Sequence, residues 1–318
     1  MKKEHIVSHL TRQFHHRPYI SEWSLKCIHQ GKVRDTFALP RHPNLLLVVT
    51  TDRISTHNIV HENTIRDKGY SLNQMVIFWM TRGLEGIPNH LIAFGDRIYD
   101  YLPSGRYPVD LRERAIVVRK LDMLPVEFIF RSRMAGSLYK DCYSKGIPNP
   151  YGLDLPTDLK LMSPFERTIF TPTDKSETDE PLNAEKTMRR YETAYRLALR
   201  AYETGRKFAL RFGIEIIDGK FEVGSDLNGN LMLADECLTP DSCRFVEEGR
   251  ITIGEDPEWM DKQYVREMAE RVWGNRTRTP LLIRPEIMLE TSARYERIAR
   301  ILTGQSVDDF LKSLYAPA

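Results

Sequence analysis

Residues 216–245 read IIDGKFEVGSDLNGNLMLADECLTPDSCRF, and this stretch decides both the fold class and where function is to be sought. Asn228-Gly229 is the strongest short hairpin signal available, because both central residues of a type I′ turn need positive φ. A two-residue loop there sets Leu227 opposite Asn230 and, counting back, Glu222 opposite Asp235. Successive strand residues alternate faces, so Asp218, Lys220 and Glu222 share one. Like charges directly opposite one another destabilise a strand pair unless a pKa rises or a cation is shared. A hard divalent ion removes the conflict, and Mg²⁺ held by one or two carboxylates plus phosphates is the usual arrangement in nucleotide enzymes. Glu222 and Asp235 are therefore candidate metal ligands, with Lys220 within reach of a phosphate oxygen. The ordinary alternative is a solvated strand face on which Lys220 pairs with Glu222.

Outward from the hairpin, apolar runs of buried-strand length stand at Leu45–Val49 and Ala115–Val118, and a further strand is expected over Val126–Arg131. Helical spacing runs through Ser71–Gly83, from about Ala184 to Phe212, near Asp261–Trp273 and near Thr291–Leu302. Hairpin-type strands in both halves with helices behind them predict an α+β fold rather than an alternating parallel sheet. Pro125 ends the regular structure after Ala115–Val118. The expected division is a small β-rich domain over residues 1–122 and a larger α+β domain over 123–318.

The 318 residues, 41% of them hydrophobic, suffice for one large or two ordinary domains. Lys plus Arg number 46 against 44 for Asp plus Glu, leaving a formal charge of +2. No global field then attracts nucleic acid or an anionic membrane, and any anion site must be local. The N-terminal MKKEHIVSHLTRQF lacks an apolar core followed by small cleavage-site residues, and no apolar run reaches membrane-spanning length. A soluble cytoplasmic protein is expected. Cys27, Cys142, Cys237 and Cys243 are too scattered for a disulfide framework or a C-x-x-C metal pair, so free thiols are expected. His15, His16, His57, His61 and His90 show no supported metal spacing.

The hairpin pattern Asp218-x-Lys220-x-Glu222-x-Gly224, followed by Asp235-Glu236-x-x-Thr239-Pro240-Asp241-Ser242-x-Arg244, resembles the signature of the SAICAR synthetase family. Three further segments match it in order. They are Gly31-Lys32-Val33-Arg34-Asp35, then Thr51-Asp52-Arg53-Ile54-Ser55, then Lys120-Leu121-Asp122-Met123 leading through Pro125-Val126-Glu127 into Arg131-Ser132-Arg133-Met134-Ala135-Gly136-Ser137-Leu138. Several motifs in order are far more specific than one. The resemblance implies a SAICAR synthase-like, ATP-grasp-related fold with nucleotide between a small β-rich domain and a larger one. It implies a ligase that joins L-aspartate to the carboxylate of the imidazole ribonucleotide CAIR, consuming ATP with Mg²⁺. A homo-oligomer is implied too, without a fixed subunit number.

Residue by residue, the resemblance implies that Lys32 and Arg34 meet ATP phosphates. Lys120, Leu121 and Met123 would read adenine, and Glu222 and Asp235 would hold Mg²⁺. Lys220 would balance charge on the reacting groups and Asp218 would orient the ribonucleotide. Arg131, Ser137 and Arg244 would take the ribonucleotide phosphate, a task suited to bidentate guanidinium donors. Asp52, Arg53 and Ser55 would belong to a loop near the substrates. Two places depart from the family pattern: Thr56-His57-Asn58, where an aspartate is usual at the third position, and the acidic loop 173–183. They leave open a paralogous amide ligase with another amine. A catalytically silent nucleotide-binding module predicts loss of a charged hairpin position, yet Asp218, Lys220, Glu222 and Asp235 are all present.

Overall fold

The computed structural model describes residues 25–314; the basic N-terminal stretch with His15 and His16 lies outside them. Strands and helices are mixed along the chain as the α+β expectation requires. The described residues divide into two compact units, one of residues 25–77, 90–120 and 262–314, the other of 78–89 and 121–261. The main crossing, between Lys120 and Leu121, falls two residues before the expected boundary.

In the first unit, β1 (Lys26–Gln30), β2 (Arg34–Ala38), β3 (Leu45–Thr50), β6 (Leu91–Phe94) and β7 (Ala115–Arg119) form an antiparallel sheet in the order β1-β2-β3-β7-β6. A separate hairpin pairs β4 (Arg53–Thr56) with β5 (Ile59–Thr64). Phe37, Leu47, Val49 and Val117 alternate onto one sheet face and are fully buried in a single cluster. Ile54 and Ile65 need cover of their own and pack against Val265, Met268, Ile283 and Ile287. That contact draws the helices Gln263–Trp273 and Pro285–Thr303 into this unit. The sequence alone assigns them to the second; four-residue β4 is too short to advertise an apolar face that long-range helices must bury.

The second unit is built on a seven-stranded sheet. Its strands are β8 (Asp122–Met123), β9 (Val126–Arg133), β10 (Pro164–Phe170), β11 (Thr173–Asp174), β12 (Ile214–Ser225), β13 (Leu231–Ala234) and β14 (Cys243–Glu247). The order is β10-β9-β12-β13, with β11 on β9 and β8 and β14 on β12. Ala194, Ala198, Ala201, Gly205 and Ala209 bury a small-residue face of the helix Glu192–Leu210. Small side chains let the helix approach closely, and Tyr202 from that face stacks on Phe130 with centroids 5.8 Å apart. The single helix expected over 184–212 is broken at Tyr191, with a separate helix Ala184–Arg190 capped by the Asn183 side chain.

The hairpin register differs by one residue from the sequence reading: Glu222 pairs with Ala234 and Ser225 with Leu231. Gly229 is left-handed at φ 81, whereas Asn228 is not. Asp226 is the cause. Its carboxylate accepts hydrogen bonds from the Asn228 and Asn230 amides at 2.9 Å each, and Gly229 N donates back to Asp226 O at 2.9 Å. An aspartate that bonds its own following backbone closes a three-residue loop with glycine in the left-handed position, in place of a type I′ pair.

Candidate active site

The polar face of β12 carries the second unit's charges. Asp218 lies in register with Arg131 of β9 and Lys220 with Ile129. Alternation sends Phe128, Phe130, Phe221 and Val223 into the core, each no more than 1% exposed, and leaves Asp218, Lys220 and Glu222 on the opposite side.

Asp218 joins two guanidinium groups. Its Oδ2 accepts from Arg131 and from Arg244 at 2.5 Å each, all in a nearly water-free setting. Arg131 is steadied by Nε donating to Thr171 Oγ1 at 2.9 Å. Arg244 lies on bare backbone at Gly136, where an added Cβ would stand 2.6 Å from the guanidinium. Gly136 also has φ +61, so a side chain there would be strained and would displace that guanidinium. Ser137 follows, exposed, at the start of the π-helical segment Leu138–Ser144, with no side-chain cap bond. The structure thus gathers Arg131, Arg244 and Asp218 into one network and sets Ser137 next to the Gly136 backbone that Arg244 covers.

Lys220 is the centre of the second network. Its Nζ donates to Glu127 Oε1 at 2.6 Å and lies 3.5 Å from Glu222 Oε1. Burial alone would lower its pKa, but Glu127, Glu222 and Asp235 outweigh that and hold it well above the ordinary lysine value. Lys220 is therefore held as a cation at neutral pH. It can stabilise anionic oxygens. Glu222 Oε2 also meets the Lys175 ammonium. Asp235 does not stand opposite Glu222, as the register shift dictates. It leaves β13 in a left-handed conformation at φ 55 and its charge still acts on Lys220. Among the described residues no three His, Cys, Asp or Glu side chains form a group able to hold a metal by themselves.

Two members of this network went unassigned in the sequence reading. Glu127 bridges Lys220 and Thr173, whose Oγ1 donates to Glu127 Oε2 at 2.8 Å. Lys175 lies in the 173–183 loop that departs from the family pattern. The available signal for Glu127 was its i, i+4 spacing from Arg131 along one strand, which puts both on the same face.

In the first unit, Gly31 allows a tight turn: its N donates to Arg34 O at 2.7 Å, and a Cβ would stand 2.8 Å from that oxygen. Lys32 is exposed on this turn and Arg34 half-buried at the start of β2. Arg53 locks the turn by donating to both carboxylate oxygens of Asp35, at 2.6 and 3.1 Å, and to Gly31 O at 3.0 Å. Asp52 accepts two bonds from Arg114, at 2.8 and 3.1 Å, and one from Gly69 N at 2.8 Å, tying β4 to the helix Lys68–Phe78. Ser55 is buried in β4. Asp52 and Arg53 are thus engaged inside the unit as supports of the turns they join. Lys120, exposed, anchors its backbone N to Asn44 O at 2.8 Å. In the second unit Leu121 is half-buried and Met123 exposed beside Gly224, where a Cβ would stand 2.8 Å from the Leu121 Cβ and 2.9 Å from the Met123 sulfur.

None of the four cysteines forms a disulfide, and burial pushes the Cys243 thiol far up. No helix among the described residues is long and apolar enough to cross a membrane.

Comparison with known proteins sets this geometry in context. Residues 27–280 match the family described as SAICAR synthetase. A phosphoribosylaminoimidazole-succinocarboxamide synthase of Pichia angusta is 35% identical over 296 residues, covering 89% of this chain and 96% of that one. One from Stenotrophomonas maltophilia is 36% identical over 297 residues, covering 88% and 95%. Among solved structures, the SAICAR synthase of Saccharomyces cerevisiae complexed with SAICAR superimposes with a TM-score of 0.77 at 31% identity, covering 89% of this chain and 96% of that one.

Proposed function

The chain belongs to the SAICAR synthetase family, and from that premise we propose that it is the ATP-dependent ligase of purine biosynthesis that joins L-aspartate to the carboxylate of CAIR. The products are SAICAR, ADP and phosphate. A carboxylate is a poor acylating agent because its leaving group would be oxide. In the proposed sequence a CAIR carboxylate oxygen attacks the γ-phosphorus and ADP departs. The aspartate amine then attacks the acyl carbon, phosphate leaves with that oxygen, and the amine gives up its proton. Protein groups need only place anionic reactants and balance their charge.

The observation that carries the proposal is the fixed cation Lys220 between Glu127 and Glu222, beside an Asp218 that spans two guanidiniums. Lys220 would stabilise charge on the transferring phosphoryl group. Arg131, Arg244 and Ser137 would receive the ribonucleotide phosphate, Asp218 holding the two guanidiniums together and orienting the base. Lys32 and Arg34 would meet ATP phosphates, and Lys120, Leu121 and Met123 the adenine. Glu222 and Asp235 fit Mg²⁺ only in company with nucleotide, since two carboxylates complete a shell by sharing it with phosphate oxygens and water. When bound, the ion would neutralise phosphate charge. A cytoplasmic homo-oligomer is part of the same reading. In the deciding experiment, purified protein receives ATP, Mg²⁺, CAIR and L-aspartate, and products are identified by mass spectrometry. SAICAR with equimolar ADP supports the proposal. Phosphate release only with a different amine would overturn it.

A further inference from the structure

β4 and β5 are joined by His57 and Asn58 alone, both left-handed at φ 49 and 64, which makes the loop a two-residue type I′ turn. This turn brings the Asn58 side chain to Lys32, whose Nζ donates to Asn58 Oδ1. Both ends of the contact have a rigid base. On the Lys32 side, Arg53 binds Lys32 O at 3.3 Å, Gly31 O at 3.0 Å and both oxygens of Asp35. On the other side, the turn is set by its paired strands.

The chemistry of the acceptor decides what the contact does. A carboxylate in this place would hold the ammonium and cancel its charge. An amide oxygen holds it and cancels nothing, and an ammonium with three donors keeps two for a ligand. We propose that Asn58 is a positioning residue that sets nucleotide affinity, presenting Lys32 to the ATP phosphates as an oriented cation of full charge. The inference rests on the ligase reading and on Lys32 as its phosphate contact.

Asn58→Asp tests this cleanly. The two side chains match in shape and both tolerate positive φ, so the turn survives and only charge changes. An exposed ion pair of this kind competes with a ligand by a factor of roughly 2–5. The apparent KM for ATP should rise by about that factor at low ionic strength, and the difference should shrink in high salt. The values for CAIR and aspartate, kcat and the melting temperature should stay at the wild-type level. Asn58→Gly, which keeps the backbone and removes the acceptor, should raise the ATP value without adding salt sensitivity. An ATP value unchanged or lowered in Asn58→Asp, or a rise shared equally by all three substrates, would overturn the inference. If wild type makes no SAICAR, the ligase reading fails. Equilibrium binding of a fluorescent ATP analogue to wild type and Asn58→Asp then decides the inference separately, weaker binding by the variant supporting it and equal binding overturning it.

Discussion

Replacing Asp218 by Asn removes one negative charge from between two guanidiniums while keeping the shape of the side chain. The Arg131 and Arg244 contacts are both 2.5 Å, and the Asp218 side chain is only 7% exposed. Breaking a buried ion pair costs about 3–5 kcal/mol, and a retained amide acceptor brings that to roughly 2–3 kcal/mol here. In a protein of this size each kcal/mol moves the melting temperature by about 2–4 °C, so a fall of roughly 4–12 °C is expected. A total stability of about 5–15 kcal/mol leaves the variant folded. The informative arm is the response to inorganic phosphate. In wild type the anion must compete with Asp218 for the two guanidiniums, whereas in Asp218→Asn it meets no competitor. Saturating phosphate should therefore raise the melting temperature of the variant more than that of wild type, by the ligand-linkage relation. Thermal melts of both proteins, with and without phosphate, measure it. An undiminished melting temperature, or a phosphate shift no larger in the variant, would refute the idea that Asp218 holds a phosphate-ready guanidinium pair.

Gly136→Ala should push the Arg244 guanidinium aside, because the new Cβ falls 2.6 Å from it at a backbone φ of +61; initial-rate kinetics should show the KM for CAIR raised and that for ATP unchanged. Lys220→Met removes a cation that Glu127, Glu222 and Asp235 keep charged, and turnover should fall by roughly 10²–10³-fold. Wild-type turnover should correspondingly show no titration of Lys220 across the neutral range of a pH–rate profile. His61 accepts a hydrogen bond from Leu281 N at Nδ1, 3.2 Å, and lies 2.9 Å from Thr56 Oγ1 through Nε2. Burial, with Lys262 adding to it, holds its pKa below the ordinary histidine value. The unfolded chain therefore binds the proton more readily, so this stabilisation is complete above about pH 6.5 and lost as pH falls below it. Melting temperatures at pH 7.5 and 5.5 should differ less in His61→Gln than in wild type.

The strand period of two made the shared face of Asp218, Lys220 and Glu222 legible in the sequence, since alternation is a local property. Register was not legible to the same precision. It turned on the Asp226 carboxylate bonding its own loop backbone, which shifted Glu222 from Asp235 to Ala234. Glu127 and Lys175 stayed silent for a different reason: they reach Lys220 and Glu222 from 93 and 47 residues away in sequence, through a β9–β12 pairing that no local pattern encodes. Arg53 illustrates the converse. It carries a charge in a recognisable motif, yet tertiary packing directs it to Asp35 and the Gly31 carbonyl. The C-terminal helices were visible as amphipathic segments, but their partners Ile54 and Ile65 lie some 200 residues earlier.

The most direct test of the ligase account is oxygen transfer. CAIR labelled with ¹⁸O in its carboxylate is incubated with the protein, ATP, Mg²⁺ and L-aspartate, and the released phosphate is examined by mass spectrometry. One labelled oxygen per phosphate, formed in step with SAICAR, is the predicted result. Phosphate without label, or label retained wholly in the ribonucleotide, would contradict phosphoryl transfer to that carboxylate.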